Sequence, residues 1–352
     1  NNMSEELFKV DGKTSVGETL PLALQHVVAM IVGCVTPAII VAGVAGLSEQ
    51  DSVILIQAAL TMSAITTLIQ VFPLLRTGKI AIGSGLPVIM GISFAYVPTM
   101  QAIAGRFDIA TILGAQIVGG IVAVFVGIFI KQIRKFFPPL ITGTVVFAIG
   151  LSLYPTAINY MAGGASNESY GSWENWLVAI ITLCIVTALN HYGKGIWKLA
   201  SILIGIIAGY IISLFFGMVD FSAVVNASWF ALPKPMHFGI KFEPSSCVAI
   251  GVLFAINSIQ AIGDFSATTS GLDRMPTDEE LNGGIVGYGL SNIVCAFFGG
   301  LPTATYSQNV GIVGSTKVVA KRVFETSAII ILIAGLIPKF SSVLTTIPYC
   351  VL

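Results

Sequence analysis

Long apolar stretches alternate with short polar connections along most of the chain. A helix needs about twenty apolar residues to cross the hydrocarbon core of a bilayer. The pattern predicts ordinary membrane-spanning helices at 19–45, 52–73, 108–130, 136–156, 174–191, 196–217, 245–265, 282–298 and 322–342. The chain is therefore expected to be an all-α polytopic membrane protein.

Two further stretches, 80–104 and 300–318, are too rich in Gly, Pro, Ser and Thr for lipid-facing helices. Irregular backbone at membrane depth persists only where it is buried in protein or lines a water-filled cavity. Both stretches contain the triplet Gly-Leu-Pro, and a pair of such interruptions is typical of transporter sites built from broken helices. Each is predicted to be a short extended piece leading into a half-helix. Superimposing the triplets pairs Ser93 with Gln308 and Phe94 with Asn309.

The two broken segments bring the prediction to eleven spans, with a twelfth starting near Thr346, and the chain is expected to be a fragment of a longer protein. With this count, alternate loops hold thirteen of the seventeen Lys and Arg residues on the N-terminal side and four on the other. Positive charge accumulates on the cytoplasmic side of membrane proteins. The N-terminus is therefore predicted to be cytoplasmic.

The composition supports a membrane protein, since 55% of the residues are hydrophobic, only 10% are charged and the mean hydropathy is +0.91. A net charge of zero disfavours a nucleic-acid partner. The sequence contains no nucleotide-binding loop, no Ser/His/Asp arrangement and no cluster of metal ligands. We therefore expect a protein that is not an enzyme, uses no cofactor or metal, and takes any energy it needs from an ion gradient.

A polar stripe crosses the span at 245–265, where Asn257, Gln260 and Asp264 follow the i, i+3, i+7 spacing of one helical face. A buried carboxylate in a membrane costs at least a few kcal/mol unless it is paired or hydrated. Asp264 either pairs with a hydroxyl or a helix N-terminus, or accepts and releases a proton and shapes a pocket. Gln260 and Gln308 each offer one acceptor and two donors, which suits the amide-like edge of a heterocycle.

His26 and Phe94 allow a structural and a functional interpretation. His26, one turn into the first span, is either an interior histidine that donates to a backbone carbonyl or part of a site. Phe94 is either a packing residue or an aromatic face beside the irregular backbone. Together these residues describe a flat ring stacked on Phe94 and held at its edge by two carboxamides, in a pocket of otherwise apolar walls.

Four ordered motifs lie at Gln25–Met30, Pro87–Ala95, Ala261–Thr268 and Gln308–Lys317. They resemble the motifs of the nucleobase–ascorbate transporters, most of all those of the bacterial xanthine and uric acid permeases. The resemblance implies two inverted repeats of seven spans, with the two half-helices preceded by short strands. It also implies homodimers in the cytoplasmic (inner) membrane. The implied segments are an N-terminal tail at 1–14, a core domain at 15–130 and 243–342, and a gate domain at 131–242 that resumes at 343–352.

The resemblance also implies a nucleobase site between core and gate. Phe94 would stack on the base, and Gln260 and Gln308 would bind its edge. The remaining implied site residues are Ser93, Ala95 and Ser307 at the substrate, and Asp264, His26 and Asn309 in support of the site or of proton coupling.

Two departures from the family pattern bear on coupling. The family usually has Glu where this chain has Gln260, and Asp before Gly where this chain has Tyr288. An amide does not titrate, so Asp264 carries proton coupling, another ion is coupled, or the substrate only equilibrates. The leading expectation is proton-coupled import of a purine such as xanthine or uric acid by an elevator-like movement. The alternatives are a uracil permease, an anion carrier of the sulfate/bicarbonate type, and a non-transporting membrane receptor.

Overall fold

The computed structural model describes residues 8–77, 80–133, 135, 144, 147–148, 150–164, 170–193, 201–221, 224–225, 227–232, 234–270, 272–348 and 351. Helices dominate this part of the chain. In order they are α1 (Val16–Ala45), α2 (Glu49–Val71), α3 (Val97–Arg106), α4 (Ile109–Ile128), α5 (Ile130–Ile133), α6 (Tyr154–Met161), α7 (Trp173–Tyr192), α8 (Ser201–Phe215), α9 (Pro244–Ser270), α10 (Asp278–Phe297), α11 (Ser307–Thr316), α12 (Lys321–Gly335) and α13 (Pro338–Thr345). The four strands are β1 (Leu75–Thr77), β2 (Ile80–Ile82), β3 (Met90–Ile92) and β4 (Thr303–Thr305).

Several helices begin where a side chain can accept from the free backbone N–H groups of the first turn. Ser48 accepts from Asp51 N at 3.2 Å before α2, and Asp108 accepts from Thr111 N at 3.0 Å before α4. Thr277 and Glu280 form a reciprocal capping box at the start of α10. These caps fix the helix starts within a few residues of the predicted boundaries.

Within the described residues, five helices are long and apolar enough to cross a membrane: α1, α2, α4, α7 and α9. The pair α12 and α13 forms a sixth such segment that is bent by 80°. The prediction of one unbroken span at 322–342 is therefore wrong. The bend lies between Gly335 and Pro338, because proline lacks the N–H that would continue the helix and is favoured at the first helical position.

About half of the predicted span at 136–156 falls outside the described residues, and its end overlaps the short helix α6. The antiparallel hairpin β1–β2, with Leu75 opposite Ile82, has no counterpart among the predicted elements.

The two interrupted segments have the predicted form of a short strand followed by a half-helix. β3 leads through a 3₁₀ turn at Phe94–Tyr96 into α3, and β4 leads into α11. The strands pair antiparallel, with Met90 opposite Thr305 and Ile92 opposite Thr303. Two bonds extend the ladder, from Tyr306 N to Ile89 O and from Ser93 N to Pro302 O. The backbone N–H and C=O groups of the two segments thus form hydrogen bonds with each other, away from lipid.

The predicted alignment of the two Gly-Leu-Pro triplets is displaced by two residues. Val88 and Ile89 separate Pro87 from β3, whereas Pro302 lies directly before β4. Counted from the strands, Phe94 therefore corresponds to Ser307, and not to Asn309. The triplets mark the breaks but do not give their structural register.

The buried apolar side chains form separate clusters. The largest joins α1, α2, α3, α4, α9, α10 and α12 around the two strands. A small cluster of Val178, Ala179, Ile206 and Val351 lies between α7 and α8. The helices α7 and α8 approach closely because small residues recur every fourth position of α8, at Ser201, Gly205, Gly209 and Ser213, and all four are buried.

Candidate functional site

A cavity of about 880 Å³ separates α1 and α11 from α6, α7 and α8. Its volume lies in the range of small-molecule sites. Phe94 and Gln308, two residues predicted for the site, both line it. The remaining walls are mainly aliphatic, and no Lys, Arg, Asp or Glu occurs among the described residues that line it. The cavity therefore offers an aromatic face and a carboxamide to an uncharged, flat molecule.

Gln308 lies in the first turn of α11 and is exposed to this space. Its amide nitrogen packs against Gly33 of α1. A side chain at position 33 would crowd this nitrogen, because its Cβ would lie only 3.3 Å from Nε2. Its carboxamide makes no hydrogen bond to the described residues. The group is thus available to a ligand with both of its donors and its acceptor.

Ser93 and Ala95 hold the backbone on either side of Phe94. Ser93 Oγ accepts from Ala95 N at 3.1 Å, and both residues are buried. This bond caps the 3₁₀ turn, and the Ser93 N–H is used in the strand ladder. Both residues position Phe94, and neither side chain lines the cavity.

Asp264 lies at the N-terminus of α11. Its Oδ1 accepts from Ser307 Oγ at 2.8 Å, and its Oδ2 accepts from Thr305 Oγ1. The side chain is 7% exposed, and a helix N-terminus favours negative charge. The predicted structural pairing with a hydroxyl is therefore confirmed. Whether the carboxylate also exchanges a proton remains a prediction.

His26 and Asn309 connect α1 to α11 at the back of the site. Asn309 Nδ2 donates to His26 Nδ1 at 3.1 Å and to the His26 carbonyl oxygen at 3.2 Å. The imidazole also contacts Phe324, with ring centroids 4.5 Å apart. His26 is an interior packing residue as one interpretation predicted, but Nδ1 accepts from a carboxamide, so that nitrogen does not donate to a carbonyl. Both side chains are buried, so they support the cavity wall from behind.

Gln260 is half-buried on α9 and does not line the cavity, although sequence reasoning paired it with Gln308. Its Oε1 is shielded from solvent and has no partner, and the same is true of Asn257 Oδ1 on the same stripe. Asn257 Nδ2 donates back to Leu253 O at 2.9 Å. The stripe of Asn257, Gln260 and Asp264 does face protein, as its spacing predicts.

Sequence reasoning missed the anchors of the two strands. Thr67 on α2 donates to Met90 O and accepts from Met90 N, at 3.2 and 3.0 Å. Asn292 on α10 accepts from Thr303 N at 2.8 Å and donates to Tyr288 O. Their only signal in the sequence is polarity inside an apolar helix, which does not identify a partner.

A second missed feature is the pair of tyrosines that fixes the turn beside Phe94. The hydroxyls of Tyr96 and Tyr288 are hydrogen-bonded, and Phe254 packs against both rings, with centroids 5.2 and 5.4 Å away. Tyr288, which stands where a carboxylate was expected, is fully buried in this cluster. Its position therefore strengthens packing behind the site.

The fold resembles that of known membrane carriers. The transmembrane domain of the cyanobacterial bicarbonate transporter BicA superimposes with a TM-score of 0.62 over 96% of this chain and 87% of that one, at 17% identity. The structure of SLC26A9 gives a TM-score of 0.59 over 95% of this chain and 58% of that one, at 12% identity. Together with the long apolar helices and the broken pair, this likeness defines a multi-pass membrane protein of the carrier fold.

The sequence identifies the family. A family model described as the permease family matches residues 17–352. The xanthine permease of Bacillus subtilis is 32% identical over 97% of this chain and 77% of its own length. The uric acid permease PucK of the same species is 33% identical, over 95% and 77%, and the uric acid transporter UacT of Escherichia coli is 33% identical, over 98% and 71%. The chain belongs to this permease family, which confirms the resemblance found in its motifs, and it is a transporter and not an enzyme.

Proposed function

We propose that this protein moves a purine-type nucleobase, such as xanthine or uric acid, across the cytoplasmic membrane. The names of the relatives support the substrate class, since they include permeases for xanthine and for uric acid. The cavity supports it independently, because a carboxamide and an aromatic face in a mainly apolar space suit a planar base.

The observation that carries the proposal is that Phe94 and Gln308 line one cavity while the Gln308 carboxamide has no protein partner. The base stacks on Phe94, and Gln308 pairs with its edge. Gln260 supplies a second carboxamide once movement of the surrounding helices exposes it, since its oxygen is shielded and unpaired in this state. The ends of β3 and β4 lie beside the substrate and are fixed there by Ser93, Ala95 and Ser307. The hydrogen bonds between His26 and Asn309 keep α1 and α11 together.

The mechanism we propose is an elevator-like movement of a core domain, 15–130 and 243–342, against a gate domain, 131–242 and 343–352. The hydrophobic clusters support this division. The buried residues of the largest cluster all belong to the core segments, and the four buried residues of the cluster between α7 and α8 all belong to the gate segments. A unit with its own core is able to move as a body.

The energy source in this proposal is a proton gradient, with Asp264 as the coupling group. Two hydroxyls and the N-terminus of α11 surround the carboxylate, and β4 and α11 carry Thr305 and Ser307 next to the substrate residue Gln308. Loss or gain of a proton at Asp264 therefore changes hydrogen bonds at the start of the substrate-binding half-helix. The distribution of Lys and Arg supports a cytoplasmic N-terminus. A homodimer belongs to the same proposal on the basis of the family resemblance.

A second candidate, an anion carrier, is favoured only by the fold likeness to the bicarbonate transporter. An anion needs positive charge or free helix N-termini. The described residues that line the cavity include no cation, and Asp264 occupies the N-terminus of α11. These observations favour a planar base over a small inorganic anion such as bicarbonate. Uracil would also fit the carboxamide of Gln308 and the ring of Phe94.

Binding and uptake are tested with the purified protein and with proteoliposomes. Thermal shifts are recorded with xanthine, urate, guanine, hypoxanthine, uracil and ascorbate, and then for the substitution Gln308→Ala. The variant should lose binding by about 10-fold to 100-fold, because the polar groups of the base are left unpaired. The control is Gln50→Ala, which alters an exposed residue in the first turn of α2.

Three outcomes would contradict parts of this proposal. Unchanged affinity in Gln308→Ala removes Gln308 from the site. A shift with uracil alone changes the substrate to a pyrimidine. Binding of a purine without uptake under any imposed gradient would make the protein a receptor.

A further inference from the structure

The face of α1 that lines the cavity contains a proline-induced gap in the helical hydrogen bonds. Pro37 lies inside α1 and has no N–H, so the carbonyl of Gly33, four residues earlier, lacks its usual donor. Gly33 itself lines the cavity. Because glycine has no side chain, its backbone is open to a neighbouring molecule on this face.

Thr36 adds a second group without a partner on the same wall. It lines the cavity and is only 6% exposed, and its hydroxyl oxygen makes no hydrogen bond. A threonine in a helix commonly donates to the carbonyl four residues earlier, as Thr61 does to Gln57 O at 2.8 Å. Thr36 does not, and its hydroxyl oxygen is shielded from solvent, so it reaches a ligand in the cavity by rotation about χ1, for which threonine in a helix has two favoured positions. Buried polar groups in native proteins are nearly always satisfied, and one that is not requires an explanation.

These two groups are continuous with the proposed base site. Gly33 is the residue against which the Gln308 amide packs, and Thr36 follows it by three positions on the same helical face. A ligand bound to Gln308 therefore also lies next to Gly33 and Thr36, which we call the α1 wall of the cavity. Gln308 offers donors and an acceptor, whereas the Gly33 carbonyl only accepts and the Thr36 hydroxyl does both.

We propose that Gly33 O and Thr36 Oγ1 form a second hydrogen-bonding edge that binds the five-membered ring of a purine. The proposal deepens the function proposed above and rests on it. In xanthine the carbonyl accepts the N–H of this ring and the hydroxyl donates to its unprotonated nitrogen. In urate both nitrogens of the ring carry hydrogen, so the hydroxyl accepts the second N–H. A pyrimidine has no second ring to satisfy this wall. The α1 wall is thus a specificity-determining part of the site that favours bicyclic bases over single rings.

The test is a set of substitutions in α1, each titrated with xanthine and with urate by calorimetry. Thr36→Val removes the hydroxyl at nearly constant shape and should weaken binding roughly threefold to tenfold, the range for one neutral hydrogen bond. Thr36→Ser restores the hydroxyl and should restore the affinity. Pro37→Ala supplies an N–H to the Gly33 carbonyl and should weaken binding by a similar factor.

The matched control is Pro21→Ala, since Pro21 is the other proline inside α1 and frees the carbonyl of Gly17, which does not line the cavity. It should bind both purines as the unaltered protein does. The unfolding temperature of each variant without ligand serves to separate a binding effect from loss of the helix.

The outcomes distinguish this inference from the proposed function. If Gln308→Ala loses binding while Thr36→Val and Pro37→Ala bind normally, the α1 wall is not an edge of the site and only this inference fails. An equal loss in Pro37→Ala and Pro21→Ala would also overturn it, because the effect would belong to the helix as a whole. If the unaltered protein binds neither purine, the proposed function itself fails.

Discussion

Asp264 illustrates how far single residues can be interpreted from sequence. The spacing of Asn257, Gln260 and Asp264 correctly predicts one protein-facing stripe on α9. It does not predict that the partners are Thr305 and Ser307, because these residues reach Asp264 only through the break that precedes α11. Long-range pairing of this kind depends on tertiary structure and has no local signal.

The proton-coupling role of Asp264 gives a prediction at the same scale. If this carboxylate takes up and releases the coupled proton, Asp264→Asn should abolish the pH dependence of purine uptake, because an amide does not titrate. The Asn side chain still accepts from one of the two hydroxyls, so purine binding should survive with a loss of about tenfold or less. Uptake into proteoliposomes across a series of external pH values measures the effect.

The control for Asp264 is Asp51→Asn, which alters a partly exposed carboxylate that pairs with His237 at 2.9 Å, away from the cavity. Its pH profile should match that of the unaltered protein. A preserved pH profile in Asp264→Asn would assign coupling to a different group.

At the level of elements, hydrophobic pattern and chain-breaking residues predict most of what is seen. The apolar runs give α1, α2, α4, α7 and α9, and the Gly- and Pro-rich runs give both strand and half-helix segments. The bend between α12 and α13 and the offset of the Gly-Leu-Pro triplets were not predicted. A short apolar run has the same hydrophobic pattern in a straight helix and in a bent one. A three-residue match does not determine which residues of the two segments correspond.

The start of α9, which carries Gln260 and Asp264, depends on a cap whose charge can be tested. Glu243 precedes Pro244 and accepts from Ser246 N at 2.7 Å and from Ser245 N at 3.1 Å. Hydrogen bonds from Ser246 and Ser245 lower the pKa of Glu243 from 4.5 to about 2. A folded-state pKa below the unfolded one means that the ionised cap stabilises the fold above pH 4.5. This stabilisation is lost as the pH falls from there to about 2.

Glu243→Gln should therefore lower the unfolding temperature in detergent at neutral pH, and its difference from the unaltered protein should shrink as the solution is acidified. The variant Glu279→Gln is the matched control, since Glu279 is an exposed residue in the first turn of α10. A deficit for Glu243→Gln that does not change with pH would show that the charge of the cap is unimportant.

At the scale of the whole molecule, the proposed elevator movement requires that α1 slide against the gate helices. Val32 on α1 packs against the cluster formed by Val178, Ala179, Ile206 and Val351. This contact crosses the proposed boundary between core and gate, and on both sides the residues involved are apolar. Apolar surfaces without interlocking hydrogen bonds present a low barrier to sliding, which is what a moving interface needs.

A covalent link across this contact tests the movement. In a background without the native cysteines, the pair Val32→Cys and Ile206→Cys, once oxidised, should stop uptake by joining core to gate, and reduction should restore it. Purine binding should persist, because neither side chain contributes a polar group to the site. The pair Val178→Cys and Ile206→Cys links two helices within the gate and should leave uptake intact. Full uptake by the linked Val32 and Ile206 pair would mean that the two domains do not move past each other at this contact, and the elevator mechanism would have to be abandoned for this protein.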